Sequence, residues 1–206
     1  MQSRDHWEQV YSSKAADAVS WYQPHADLSM QMVEAAGVAA TAAIIDVGGG
    51  ASILVDDLLA ANYSDLSVLD LSAAALDVAQ ARLGTHATKV SWIQADITRV
   101  QLPAHAFDLW HDRAVFHFLT EPEQRRLYVQ QLMHALKPGG HVIIATFAED
   151  GPMQCSGLPV MRYRADQLAA ELGESFTLLQ HQHATHHTPF GTTQQFTWCH
   201  FRRDGL

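Results

Sequence analysis

The order of patterns along this chain of 206 residues predicts an α/β fold, a mostly parallel sheet with helices on both faces. Two observations carry that prediction. Apolar, strand-like runs alternate with helical patterns across residues 40–150, the arrangement that yields a parallel sheet covered by helices. The first strong run, Ile44-Ile45-Asp46-Val47, breaks at once into Gly48-Gly49-Gly50. Apolar residues closed by glycine read as a buried strand turning sharply into a helix. The length suits one domain with a substantial core.

Each element follows in order. Residues 25–36 read as a helix with Leu28, Met32 and Ala35 on one face. The first strand covers about 42–47 and a helix runs from Ser52 to Ala61. Leu66-Ser67-Val68-Leu69-Asp70 is the second strand, and Ser72 is placed to cap an alanine-rich helix ending at Leu83. Strand three lies near 89–95 and strand four near 107–111. A short helix follows, then a longer one at 121–136 that Pro122 opens. Val142–Phe147 is strand five, and a loop rich in Gly, Pro and Ser leads to a helix at 164–172. Phe176 to about His183 and Gln195 to Arg202 read as a hairpin pair, with turn chemistry supplied by Thr188-Pro189-Phe190-Gly191.

Composition excludes several function classes. A formal charge of -9 argues against a general nucleic-acid surface, which carries a basic footprint. No apolar run reaches the length of a bilayer span, and the polar start shows no secretory signal, so no membrane partner is expected. Cys155 and Cys199 provide no disulfide framework and suit a reducing, cytoplasmic setting. No repeat, linker or low-complexity tract is visible.

The glycine turn narrows the ligand. A dinucleotide fingerprint needs a third glycine where Ile53 stands, and a phosphate-binding loop needs a lysine, absent between Lys14 and Lys89. What fits is a ligand without phosphate. Five motifs then occur in one order: Asp46 two before Gly48 and Gly50; Asp70 ending the second strand; Asp96 in Trp92-Ile93-Gln94-Ala95-Asp96-Ile97; Phe107–Asp112; and Leu136-Lys137-Pro138-Gly139-Gly140 before strand five. In these the chain resembles the class I S-adenosylmethionine (SAM) dependent methyltransferases over most of its length. The resemblance implies a Rossmann-like, seven-stranded, mostly parallel sheet with its last strand antiparallel. It also implies one domain over 1–206, with residues 1–40 as an N-terminal helical lid segment and 41–206 as core.

Ligands of open α/β sheets bind beyond the carboxyl ends of the strands, where Asp46, Gly48, Asp70, Asp96 and His111 all fall. The resemblance assigns Asp70 to the ribose, Leu71 to the adenine face, Asp96 and the Ile97 amide to the adenine edge, and Gly48 with Gly50 to the methionine moiety. Asp46 would act through water, with His111 beside it. Trp21 and Tyr22, in a segment resembling the family's lid, would offer aromatic faces to the sulfonium cation. Methyl transfer mainly requires alignment and water exclusion. A base is needed only for a protonated nucleophile, and Asp112 and His117 are the catalytic candidates. Arg113, four residues from His117 and on its face if the segment is helical, would contact the acceptor, with Arg162, Tyr163 and His186 as further walls. His181 and His183 point the same way on a strand, but no cysteine or carboxylate nearby completes a zinc set, so no metal is assigned. The expected function is methyl transfer from SAM to a small-molecule acceptor. A protein lysine methyltransferase and a non-catalytic SAM-binding module are the alternatives, and the oligomeric state is left open.

Overall fold

A computed structural model describes residues 4–13, 15 and 17–205. Seven strands form the main sheet: β1 (Ala43–Val47), β2 (Asp65–Asp70), β3 (Val90–Gln94), β4 (Phe107–Arg113), β5 (Leu136–Phe147), β8 (Phe176–His187) and β9 (Thr193–Arg203). Their spatial order is β3-β2-β1-β4-β5-β9-β8. The five strands from β3 to β5 run parallel, while β9 lies antiparallel between β5 and β8. The expected sheet with an antiparallel last strand is therefore present.

Side-chain alternation distributes each central strand between two hydrophobic layers. Ile45 and Val47 of β1, Trp110 of β4, and Val142 and Ile144 of β5 pack on one face, against Tyr128 and Leu132 of α5 (Pro122–Ala135) and Leu168 of α6 (Ala165–Leu172). Ile44, Leu109, Ile143 and Phe147 pack on the other, against Met32 and Val33 of α2 (Asp27–Ala36) and Leu54 and Leu58 of α3 (Leu54–Ala60). Both faces being covered explains why these strands read as unbroken apolar runs.

Local chemistry sets the boundaries. Ser72 accepts from the Ala75 amide at 3.2 Å and so caps α4 (Ala73–Leu83). Pro122 occupies the first turn of α5, where its missing N–H has no partner to lose. Four differences from the sequence reading stand out. Within the expected N-terminal helical segment, a helix α1 (Arg4–Ser13) that the element-by-element reading did not place comes first, and Glu8 from it accepts from Ser72 Oγ and from the Ala73 and Ala74 amides at the start of α4. Strand β5 begins at Leu136, which pairs with Phe107 before the register shifts to Leu109 with His141, so the expected turn at 137–140 is a bulge inside the strand. The loop after β5 contains a small hairpin of β6 (Gln154–Cys155) and β7 (Leu158–Pro159). Ser156 and Gly157 both have positive φ there, the geometry of a tight two-residue connection. Finally, β8 and β9 extend until only Thr188–Thr192 joins them.

Candidate active site

The sheet order reverses between β1 and β4, so the crevice beyond their carboxyl ends is the natural ligand site. A cleft of about 980 Å³ that opens to solvent lies there. Its floor is the turn after β1. Gly48 has φ 71°, and its amide donates to the Leu69 carbonyl at 2.7 Å. A Cβ at Gly48 would collide with Val115, and one at Gly50 would strike the Asp70 carboxylate and sit 2.8 Å from Ala75 Cβ. Backbone is bare here because neighbouring side chains occupy the space a Cβ would need.

The acidic end of the cleft comes from β2 and β3. Asp70 lines the cleft, and its Oδ1 accepts from the Ser72 amide at 2.8 Å. Burial, with Asp46 and Glu8 nearby, pushes its carboxyl up to about 7, although the Ser72 and Leu71 amides pull the other way. Leu71, Asp96 and Ile97 complete this end. Asp96 Oδ1 accepts from the amide and hydroxyl of Thr98 at 2.9 and 2.7 Å, which closes its own turn. Buried beneath the turn is a relay: His111 Nδ1 lies 2.7 Å from Asp46 Oδ1 and its Nε2 lies 3.0 Å from Ser29 Oγ. The second Asp46 oxygen is buried with no partner.

Aromatic residues close the cleft. Trp7 and Tyr11 of α1, Trp21 and Phe118 all line it, with ring centroids 5.3–6.3 Å apart where they pair. Burial raises the Tyr11 phenol far above its usual range, so it stays neutral. Cys155 of β6 adds a thiol pushed up to about 12, again by burial. Ser156 Oγ beside it lies 3.3 Å from His6 Nε2, so the hairpin and α1 meet over the site. Among the described residues, Trp7 and Tyr11 are the main contributors that sequence reasoning missed. Their signal was present, two aromatics four apart with Val10 on the same helical face.

Several candidates lie elsewhere. Asp112 is buried and turned into the core, accepting from Tyr128 Oη at 2.6 Å and from the Val115 amide at 2.8 Å. Burial pushes it up to about 6 against those bonds. His117 is fully buried against Phe118 and Phe147, accepts from the Phe147 amide at 3.3 Å, and is held neutral by burial and by Arg113, its pKa down to about 3. Neither residue lines the cleft. The shared helical face expected for Arg113 and His117 is absent, because Arg113 ends β4 and His117 sits in a single 3-10 turn, Phe116–Phe118. Tyr163 is buried in the layer beneath α5 and α6, and Arg162 donates to the Glu149 and Gly151 carbonyls; neither lines the cleft. His186 donates to the Ser20 carbonyl at 2.7 Å, pinning the chain next to Trp21. Tyr22 faces a second, adjoining cavity. Arg113 and Trp21 line both. Among the described residues no three His, Cys, Asp or Glu side chains gather to hold a metal. No helix among them is long and apolar enough to cross a membrane.

A Rossmann-like sheet with its switch at β1 and β4, a bare glycine turn and a buried carboxylate at the end of β2 point to a class of protein, and comparison with known proteins agrees. Residues 44–140, just under half of the chain, match the family model described as "Methyltransferase domain", and the sheet has the Rossmann-like methyltransferase fold. That family implies SAM as the cofactor. A solved structure titled "Conversion of a Disulfide Bond into a Thioacetal Group during Echinomycin Biosynthesis" superposes with a TM-score of 0.76, at 19% identity over 98% of this chain and 91% of that one. The Burkholderia thailandensis 1,6-didemethyltoxoflavin-N1-methyltransferase, with its substrate and S-adenosylhomocysteine bound, superposes with a TM-score of 0.69 at 19% identity over 98% and 84%. The Bos taurus eEF1A lysine and N-terminal methyltransferase is 24% identical over 142 residues, 68% of this chain. This chain spans 20% of that relative's length.

Proposed function

We propose that this chain transfers the SAM methyl group to a nucleophilic atom of a small-molecule acceptor. The observation that carries the reading is the closure of the cleft by this chain's own α1, Trp21 segment and β6–β7 hairpin. A site walled on its open side by four aromatic rings suits a compact acceptor rather than a protein surface. The didemethyltoxoflavin enzyme, which acts on a small molecule, supports the same reading. The lysine methyltransferase relative favours the second reading, a protein acceptor.

The residues present suit SAM. Asp70 offers a carboxylate with acceptor capacity left for ribose hydroxyls, Leu71 and Ile97 offer apolar faces for adenine, and the glycine floor admits the tail. When bound, SAM supplies a methyl group already activated by a positive sulfur. What the chain adds is alignment and dryness, through an aromatic roof that favours a cation beneath it. Among the described residues, the titratable groups on the cleft wall are Asp70, Asp96, Tyr11, Arg113 and Cys155. With the two acids directed to the nucleoside and Tyr11 and Cys155 held protonated, none is placed to serve as a general base. The acceptor must therefore arrive with its lone pair available, as an amine, thiolate or phenolate.

Purified protein incubated with methyl-labelled SAM and a size-fractionated cell extract tests the reading. Label is expected in the low-mass fraction. Label confined to protein would overturn it in favour of the second reading.

A further inference from the structure

Arg113 has hydrogen-bonding capacity that the protein uses only in part. Its Nη1 donates to the Trp21 carbonyl at 3.0 Å, while Nε and Nη2 are buried with no partner. The guanidinium carbon lies 5.5 Å from the centre of the Phe196 ring, and among the described residues no carboxylate forms an ion pair with it. Burial lowers it to about 10, with Asp46 and Cys155 opposing that shift, so it remains charged at neutral pH. A planar fork with two vacant donors fits a carboxylate. The next residue, Ala114, holds φ 71° without being glycine, and its amide donates to the Ala145 carbonyl at 2.8 Å. Strain of that kind persists where the surroundings fix a side chain's direction.

Position identifies which carboxylate. On the reading proposed above, Asp70 and Asp96 take the nucleoside end of SAM, and the donor carries its carboxylate at the opposite end. Arg113 stands at that opposite end, on the wall shared by the main cleft and the second cavity, where Ala51, Ser52 and Ile53 continue the glycine turn. Val115, two residues on, packs against Gly48. We infer that Arg113 anchors the carboxylate of the methionine tail and, through the same guanidinium, links occupation of that site to the holding of the Ser20–Trp21 segment. His186 pins the neighbouring carbonyl independently of the donor. Arg113 is thus a donor-reading residue rather than the acceptor contact expected from sequence.

Two nucleosides separate the tail from the rest. S-adenosylhomocysteine carries the carboxylate and 5′-methylthioadenosine lacks it. Calorimetry on the full chain is expected to show R113M losing roughly 10- to 100-fold in affinity for S-adenosylhomocysteine while its affinity for 5′-methylthioadenosine is unchanged. R113K, which keeps charge but not the fork, should lose less and covers the case in which R113M folds poorly. Amide exchange at Trp21 and Tyr22 should slow with S-adenosylhomocysteine and not with 5′-methylthioadenosine. Equal losses for both nucleosides would make Arg113 a structural residue and overturn the inference. Unchanged affinity for both would return it to the acceptor. Failure of the wild type to bind either would reject the cofactor reading itself, and this inference with it.

Discussion

Asp70 concentrates the chemistry of this site in one side chain. Its carboxyl is raised to about 7, first by burial and then by Asp46 and Glu8, whereas an unfolded chain would ionise near 3.8. Between those two values the folded state holds the proton and the unfolded state does not. Stability from this group is complete below the unfolded value and is lost as pH rises through the folded one. Ribose hydroxyls reward the ionised form, so donor binding should release a proton and strengthen as pH passes 7. Asp70→Asn is accordingly expected to raise the melting temperature of the unliganded protein at pH 8 and to weaken S-adenosylhomocysteine binding by about 1–3 kcal/mol. Melting curves and calorimetry from pH 5 to 8 check both halves. A variant that binds as tightly as wild type would remove Asp70 from the site. Sequence singles out Asp70 because an acidic residue ending an apolar run is conspicuous, and the structure sets it on the cleft wall. The same logic misled at Asp112, where the carboxylate turns inward and is satisfied by Tyr128 and two backbone amides. Spacing does not reveal which way a strand-end side chain points.

Among the elements, α1 was the least legible and is among the most consequential. Its sequence, RDHWEQVYSS, is polar enough to pass for a solvated terminus. What holds it is tertiary. Against its own desolvation, amide bonds from Ala74 and Ala73 keep the Glu8 carboxyl below its ordinary value, and those bonds fasten α1 to the start of α4. A cap supplied from another helix leaves no local signature, which is why the capping rules found Ser72 and missed Glu8. The roof formed by Trp7 and Tyr11 depends on that fastening. Glu8→Ala should lower stability by about 1 kcal/mol, the usual cost of a lost cap, and also weaken S-adenosylhomocysteine binding. Glu8→Gln should recover part of each, because an amide oxygen still accepts. Thermal melts paired with titrations measure the two together, and a stability loss with unaltered binding would detach the roof from the site. Elsewhere the sequence was clearest where burial on both faces left continuous apolar runs, in β1, β2 and the second half of β5. It was weakest at β8, whose outward residues include His181 and His183, exposed and polar.

For the molecule as a whole, strand order matters more than any one residue. Placing β4 beside β1 brings Arg113 and the glycine turn together from positions more than sixty residues apart, and placing β2 on the other side of β1 brings Asp70 to the same rim. The antiparallel β9, inserted between β5 and β8, carries Phe196 beneath Arg113 and positions His186 through its partner strand. The cleft therefore draws on elements from both halves of the chain, with the core strands forming its floor and the outer elements enclosing it. The structure of crystals soaked with S-adenosylhomocysteine probes this arrangement most directly. The nucleoside should lie over Gly48–Gly50 with its ribose on Asp70, its adenine between Leu71 and Ile97, and its carboxylate toward Arg113. An empty crevice between β1 and β4, or the nucleoside bound at another face of the sheet, would contradict it.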